Sequence, residues 1–84
     1  MKHRMMINYD ERFDVLYVGI KDRSNSYGDE SQNDILYLRD FRSDEITGFT
    51  IFNFLMKVKN NTLPVLPKEL DISFSKDIIP KITN

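Results

Sequence analysis

Apolar and polar positions alternate through much of the first half of the chain, and in one window the alternation gives way to a longer period. That window is Ile46-Thr47-Gly48-Phe49-Thr50-Ile51-Phe52-Asn53-Phe54-Leu55-Met56, the most apolar part of the sequence. Up to Ile51 it reads as a strand, with Phe49 and Ile51 on one face. From Asn53 it reads as a helix, with Phe54, Leu55 and Val58 close to a single face. A strand running straight into a helix supplies both a sheet and the layer that covers it.

The same alternation places the other strands. Met5 to Tyr9 sets Met5, Ile7 and Tyr9 against Met6 and Asn8. Asp10-Glu11-Arg12-Phe13 then suits a hairpin turn. Asp14 to Ile20 puts Leu16, Val18 and Ile20 on one face and Val15, Tyr17 and Gly19 on the other. Both faces are largely apolar, which predicts a strand covered on both sides or meeting another subunit. Lys21 to Asn33 is the longest polar stretch and reads as a hairpin connection, with Tyr27 as a candidate binding anchor. Asp34 to Asp40 is the third strand, with Ile35 and Tyr37 opposite Leu36 and Leu38. Its opening, Asp34-Ile35-Leu36-Tyr37-Leu38, echoes Asp14-Val15-Leu16-Tyr17-Val18, which reads as two similar strands side by side. Ile46 to Phe52 is the fourth strand, and Gly48 inside it predicts close packing or a bulge.

Asn53 is placed to cap the helix, which runs to about Asn60. Lys57 and Lys59 suit the negative end of its dipole, and Asn60 or Asn61 a left-handed C-cap. Pro64 and Pro67 then exclude regular structure. Leu70 to Phe74 has the spacing of a short fifth strand, with Leu70, Ile72 and Phe74 on one face, and Ile78, Ile79 and Ile82 close an apolar tail. The predicted fold is α+β: a four-stranded antiparallel β-meander, one helix packed on a face, and an extended C-terminal tail with that fifth strand. It is a single domain over 1–84, with meander and helix in 1–61 and the proline-containing tail in 62–84. The tail is expected to wrap its own core.

Size adds a constraint. A chain of 84 residues buries only about 60–65% of the surface its unfolded form exposes. Its core is thin, and a homo-oligomer is expected to supplement it. The absence of cysteine excludes disulfides and thiol catalysis and fits a cytoplasmic location. Net charge is −1, with acids and bases interspersed. Only Lys2, His3 and Arg4, and the pair Lys57 and Lys59, gather positive charge, so neither nucleic acid nor a membrane is expected as a partner.

The chemistry-bearing residues are few. His3 is the single histidine and reads as a surface residue. Asp10 and Asp14 flank the first turn and read as turn-bonding groups. Asp29, Glu30 and Asp34 read as a solvated loop and not as an acid/base pair. No catalytic, cofactor-binding or metal-binding residue is assigned, and no cofactor is expected. Phe41, Phe49, Phe52, Phe54 and Phe74 exceed what one sheet face and one helix need, so any left outside mark an interface.

The run Tyr9-Asp10, Asp14-Val15-Leu16-Tyr17-Val18, Asp34-Ile35-Leu36-Tyr37-Leu38 and Ile46-Thr47-Gly48-Phe49-Thr50-Ile51 resembles domain-of-unknown-function family 2283, a set of short bacterial proteins. Members usually carry an acid where Thr50 stands and a shorter acidic linker in place of Lys21 to Asn33. The tail from Leu63 lies outside the pattern. The resemblance implies a compact antiparallel meander with a helix. Such proteins are often encoded beside small toxin-like proteins, which implies a neutralising role. The expected function is therefore a non-enzymatic protein–protein interaction module, antitoxin-like, with a protein partner. The alternative is a small phage or mobile-element inhibitor of a host defence protein, acting through a negative surface.

Overall fold

Short polar side chains mark the reversals of the chain. Asp14, Asp34, Asp44, Asn53, Asn61 and Asp71 all have positive φ, whereas no glycine does. Asp and Asn tolerate this region because their side chains bond to nearby backbone. The structure, a computed structural model, describes residues 5–30 and 34–82.

Five strands form one antiparallel sheet: β1 (Met6–Asp10), β2 (Val15–Gly19), β3 (Ser26–Glu30), β4 (Ile35–Asp40) and β5 (Ile46–Phe52). Helix α1 (Phe54–Asn60) follows β5, and a short α2 (Ile79–Ile82) ends the tail. The class is α+β. Two hairpins use one turn design. In the first, Oδ1 of Asp10 accepts from the N–H of Arg12 at 3.0 Å and of Phe13 at 3.4 Å. In the second, Oδ1 of Asp40 accepts from the N–H of Arg42 at 2.8 Å and of Ser43 at 3.2 Å. Both read Asp-x-Arg-x-Asp and end on a left-handed residue, Asp14 or Asp44.

The strand order β1-β2-β5-β4-β3 departs from the expected meander. The polar stretch from Lys21 contains a strand, β3, paired to β4 with Tyr27 opposite Arg39 and Gly28 opposite Leu38. An edge strand buries little and is often charged, so Ser-Tyr-Gly-Asp-Glu forms one without apolar alternation. The residues Ile20 to Asn25 carry the chain past the ends of β5 and β4. Thr47 O accepts from the N–H groups of Ile20 at 2.8 Å and Lys21 at 3.1 Å, and Asn25 O accepts from Phe41 N–H at 2.9 Å. Three strand spacings are about 14 Å, and six extended residues reach about 20 Å, so the link is long enough. The result is a Greek key. The two echoing strands, β2 and β4, are consequently not neighbours; they flank β5. β5 is buried on both faces up to Ile51 and takes the centre.

The tail makes no strand over Leu70 to Phe74. Lys68–Leu70 forms a 3-10 turn, and Phe74–Ile78 forms a wide π-type turn leading into α2. Ser73 Oγ accepts from Lys76 N–H at 3.3 Å, while Asp77 Oδ2 accepts from Ser73 N–H at 2.8 Å. This reciprocal cap wins over the strand-like spacing. The tail does pack on its own core: Leu63, Leu66, Leu70, Ile72 and Phe74 are half-buried against it, and Ile78 is fully enclosed.

The core lies between one sheet face and these elements. It holds Leu16, Val18, Ile35, Tyr37, Ile46, Phe49, Ile51, Phe54 and Ile78. Rings run through it from β4 to β1: Tyr37 to Phe49 at 6.5 Å, Phe49 to Phe74 at 6.4 Å, Phe74 to Phe54 at 6.1 Å, and Phe54 to Tyr9 at 6.2 Å. Each fully buried side chain of this size stabilises by about 2 kcal/mol. Asn61 adopts the expected left-handed C-cap, and Thr62 N–H closes on Lys57 O at 2.9 Å. Among the described residues, no helix is long and apolar enough to cross a membrane.

Candidate functional site

Helix and tail cover one side of the sheet. Strand register shows what the other side carries. Opposite residues in neighbouring strands point to the same face, so Met6, Gly19, Gly48, Leu38 and Gly28 form one row across all five strands. All three glycines of the chain fall in this row. The next row is Asn8, Tyr17, Thr50, Leu36 and Glu30, and a third brings together Asp10, Val15 and Phe52.

The open side is apolar and accessible. Met6 is 65% exposed, Tyr17 44% and Phe52 42%. Leu36 and Leu38 are half-buried beside them. A depression of about 260 Å³ lies here, with Met6, Asn8, Tyr17, Arg23, Leu38 and Thr50 in its lining. Gly19 is part of its floor, and Gly48 lies opposite it in the next strand. A Cβ on Gly48 would meet the Val18 carbonyl oxygen at 2.6 Å, closer than real Cβ atoms come. A Cβ on Gly19 would lie 1.7 Å from Nη1 of Arg23, whose side chain rests on the floor.

The apolar margin continues around one end of the sheet. Phe13 is exposed in the β1–β2 turn, and Leu55 and Met56 are exposed on the first turn of α1. Asp14 joins these segments. Its Oδ1 accepts from Leu55 N–H at 2.8 Å and from the Tyr9 hydroxyl at 2.7 Å, and its Oδ2 from Met56 N–H at 3.3 Å. Burial pushes the Asp14 carboxyl up, but these donors outweigh it and hold it below the usual carboxylate range. Burial, then the bond to Asp14, pushes the Tyr9 hydroxyl up to about 12. Asn53 is left-handed and makes no side-chain cap bond, so Asp14 does the work expected of it.

The sequence-derived candidates scatter. Tyr27 is not a loop anchor; it lies in β3, with its ring 5.3 Å from Phe41 and its hydroxyl donating to Asp44 Oδ1 at 2.5 Å. Asp29, Glu30 and Asp34 do not converge. Asp29 accepts from Arg39 Nε at 2.8 Å, Asp34 faces Lys57 Nζ at 3.4 Å, and Glu30 shares the open face with Leu36. Lys57 is buried, donating to Phe52 O at 2.5 Å, so it forms no exposed patch with Lys59. Asp10 bonds its own turn, as expected. Of the five phenylalanines singled out in the sequence, Phe49 and Phe54 are core, Phe74 is half-buried, and Phe41 and Phe52 remain outside. His3, with Lys2 and Arg4, lies outside the described residues. Among the described residues, no three acidic or histidine side chains gather as metal ligands would.

Arg23 was not a candidate in the sequence, where it is one polar residue in a polar stretch. Its position follows from the register that brings Gly19 beside Gly48. No family model matches the chain, and no curated protein or solved structure matches it.

Proposed function

We propose that this chain is a non-enzymatic protein-interaction module whose working surface is the open face of the sheet. The observation that carries the reading is the exposure of Met6, Tyr17 and Phe52 on one side of a sheet whose other side already holds the core. Accessible apolar area in one place is what a docking partner removes from water. Aromatic residues such as Tyr17 supply most of the binding energy at such sites. The antitoxin-like form of the proposal, with the product of a neighbouring gene as partner, follows from the resemblance described above. Self-association is the competing use of the same face.

Light scattering separates these uses. The purified protein is measured alone and after mixing with the neighbouring gene product, as wild type and as Tyr17→Arg. A defined hetero-complex formed by wild type and lost in Tyr17→Arg supports the proposal. A wild-type homodimer that Tyr17→Arg dissociates assigns the face to self-association. A complex indifferent to Tyr17→Arg, or a monomer with no complex, rejects it.

A further inference from the structure

The open face carries a cation over its row of Gly19 and Gly48, toward one end of the strands. Arg23 leaves the β2–β3 connection and lies over Gly19 and Gly48; a Cβ on Gly48 would sit 3.1 Å from its Cδ. Three other cations beside the sheet are engaged. Lys21 meets Glu45, Arg39 meets Asp29, and Lys57 meets Asp34. Arg23 has no carboxylate bonded to its guanidinium among the described residues. The carboxylate of its chain neighbour, Asp22, accepts from the Ser24 hydroxyl at 2.8 Å and 2.9 Å, and these bonds, with a smaller part from the Arg23 charge, hold it below the usual carboxylate range. A guanidinium on an apolar floor, with its donors open, is built to receive a planar anion.

We infer that the segment docking on this face is acidic: a peptide stretch of a protein partner with an Asp or Glu side chain between apolar residues. The carboxylate goes to Arg23, and the apolar neighbours go to Tyr17, Met6 and Leu38. The inference rests on the open-face reading proposed above. Three arguments select this occupant. The first is charge. Asp10 on β1 and Glu30 on β3 place acids at the two outer strands of the same face, so a polyanion such as nucleic acid is repelled at the rim while a single carboxylate fits beside Arg23. The second is area. A face five strands wide in two rows and three strands wide in the third covers about 400 Å², roughly half of what each partner contributes to a stable protein pair. A single segment is covered by such a face, whereas a second copy of the chain needs more. The third is position. The Arg23 side chain lies across Gly19 and Gly48 and lines the depression together with Met6, Tyr17 and Leu38, so a carboxylate that reaches it sets its apolar neighbours beside those side chains.

The test uses a random displayed-peptide library panned on the folded protein in three forms: wild type, Arg23→Gln and Tyr17→Arg. A proton–nitrogen correlation spectrum of each form first shows that the fold is kept. Clones that depend on Tyr17 are expected to carry Asp or Glu beside apolar residues, and to bind Arg23→Gln about tenfold more weakly. If Tyr17-dependent clones show no acidic enrichment, or bind Arg23→Gln equally well, the acidic partner is rejected and the docking face stands. If no clone depends on Tyr17, the docking face and this inference fall together.

Discussion

The backbone N–H of Leu55 donates to Oδ1 of Asp14 at 2.8 Å, across 41 positions of sequence. The main-chain oxygen of Asp14 also accepts from Phe54 N–H at 3.0 Å. On the other flank of β5, Asp34 O accepts from Phe52 N–H at 3.1 Å. The two aspartates that open the echoing strands therefore clamp the β5–α1 junction from both sides. The echo marks a shared job at that junction.

Replacing Asp14 by Ala removes the cap of α1 and the partner of Tyr9. The expected loss is about 2 kcal/mol, read from urea unfolding. Asp14→Asn keeps one acceptor oxygen and is expected to lose less. The pH dependence follows from the sign of the shift. Asp14 sits below its ordinary value of 3.8 when folded. Its contribution is therefore present above pH 3.8 and is lost as pH falls through the lower folded value. Asp14→Ala should flatten the acid limb of the stability profile; an unchanged limb would show that the cap does not titrate with folding.

Tyr9 governs the opposite limb. Its folded value is about 12 against an ordinary 10.0. A raised value means stability that is full below pH 10.0 and falls as pH rises toward 12. Tyr9→Phe should remove that part of the alkaline loss. The check is the difference between wild-type and variant unfolding midpoints across this range, since Tyr27 and Tyr37 are also raised and contribute to both curves.

Ile78 is fully buried although it lies far along the proline-containing tail. Ile78→Ala is expected to destabilise by about 3 kcal/mol, a large share of what so small a domain holds. The loss should not depend on protein concentration, because the tail closes its own core. Unfolding midpoints measured at several concentrations decide this; a concentration-dependent loss would mean the tail is exchanged between copies.

Gly19 and Gly48 are opposite each other yet should respond differently. A methyl at Gly48 meets backbone, the Val18 oxygen at 2.6 Å, and Gly48→Ala is expected to cost about 2 kcal/mol. A methyl at Gly19 meets only the Arg23 side chain, which can swing away. Gly19→Ala should change stability by no more than about 0.5 kcal/mol. Thermal melts of the two variants side by side test the glycine floor directly. Equal losses would show that Arg23 does not rest there.

The sequence by itself determined the local structure. Alternation located β1, β2, β4 and β5, because a half-buried strand writes its period into the chain. The change of period at Asn53 located α1. Asp10 and Asn61 announced a turn and a C-cap, because those side chains act within a few residues of themselves. Tertiary structure decided everything that depends on which elements meet. β3 was illegible, since an edge strand needs no apolar pattern. The turn at Ser73 is local, a reciprocal cap spanning four residues, but it was masked by the strand-like spacing of Leu70, Ile72 and Phe74. The Greek-key order was illegible, since pairing partners lie far apart in sequence and the doubly buried β5 took the central place. The cap at Asp14 and the resting place of Arg23 were hidden for the same reason. Each needs a partner that only register supplies, and register is set by burial of whole faces, not by neighbours along the chain.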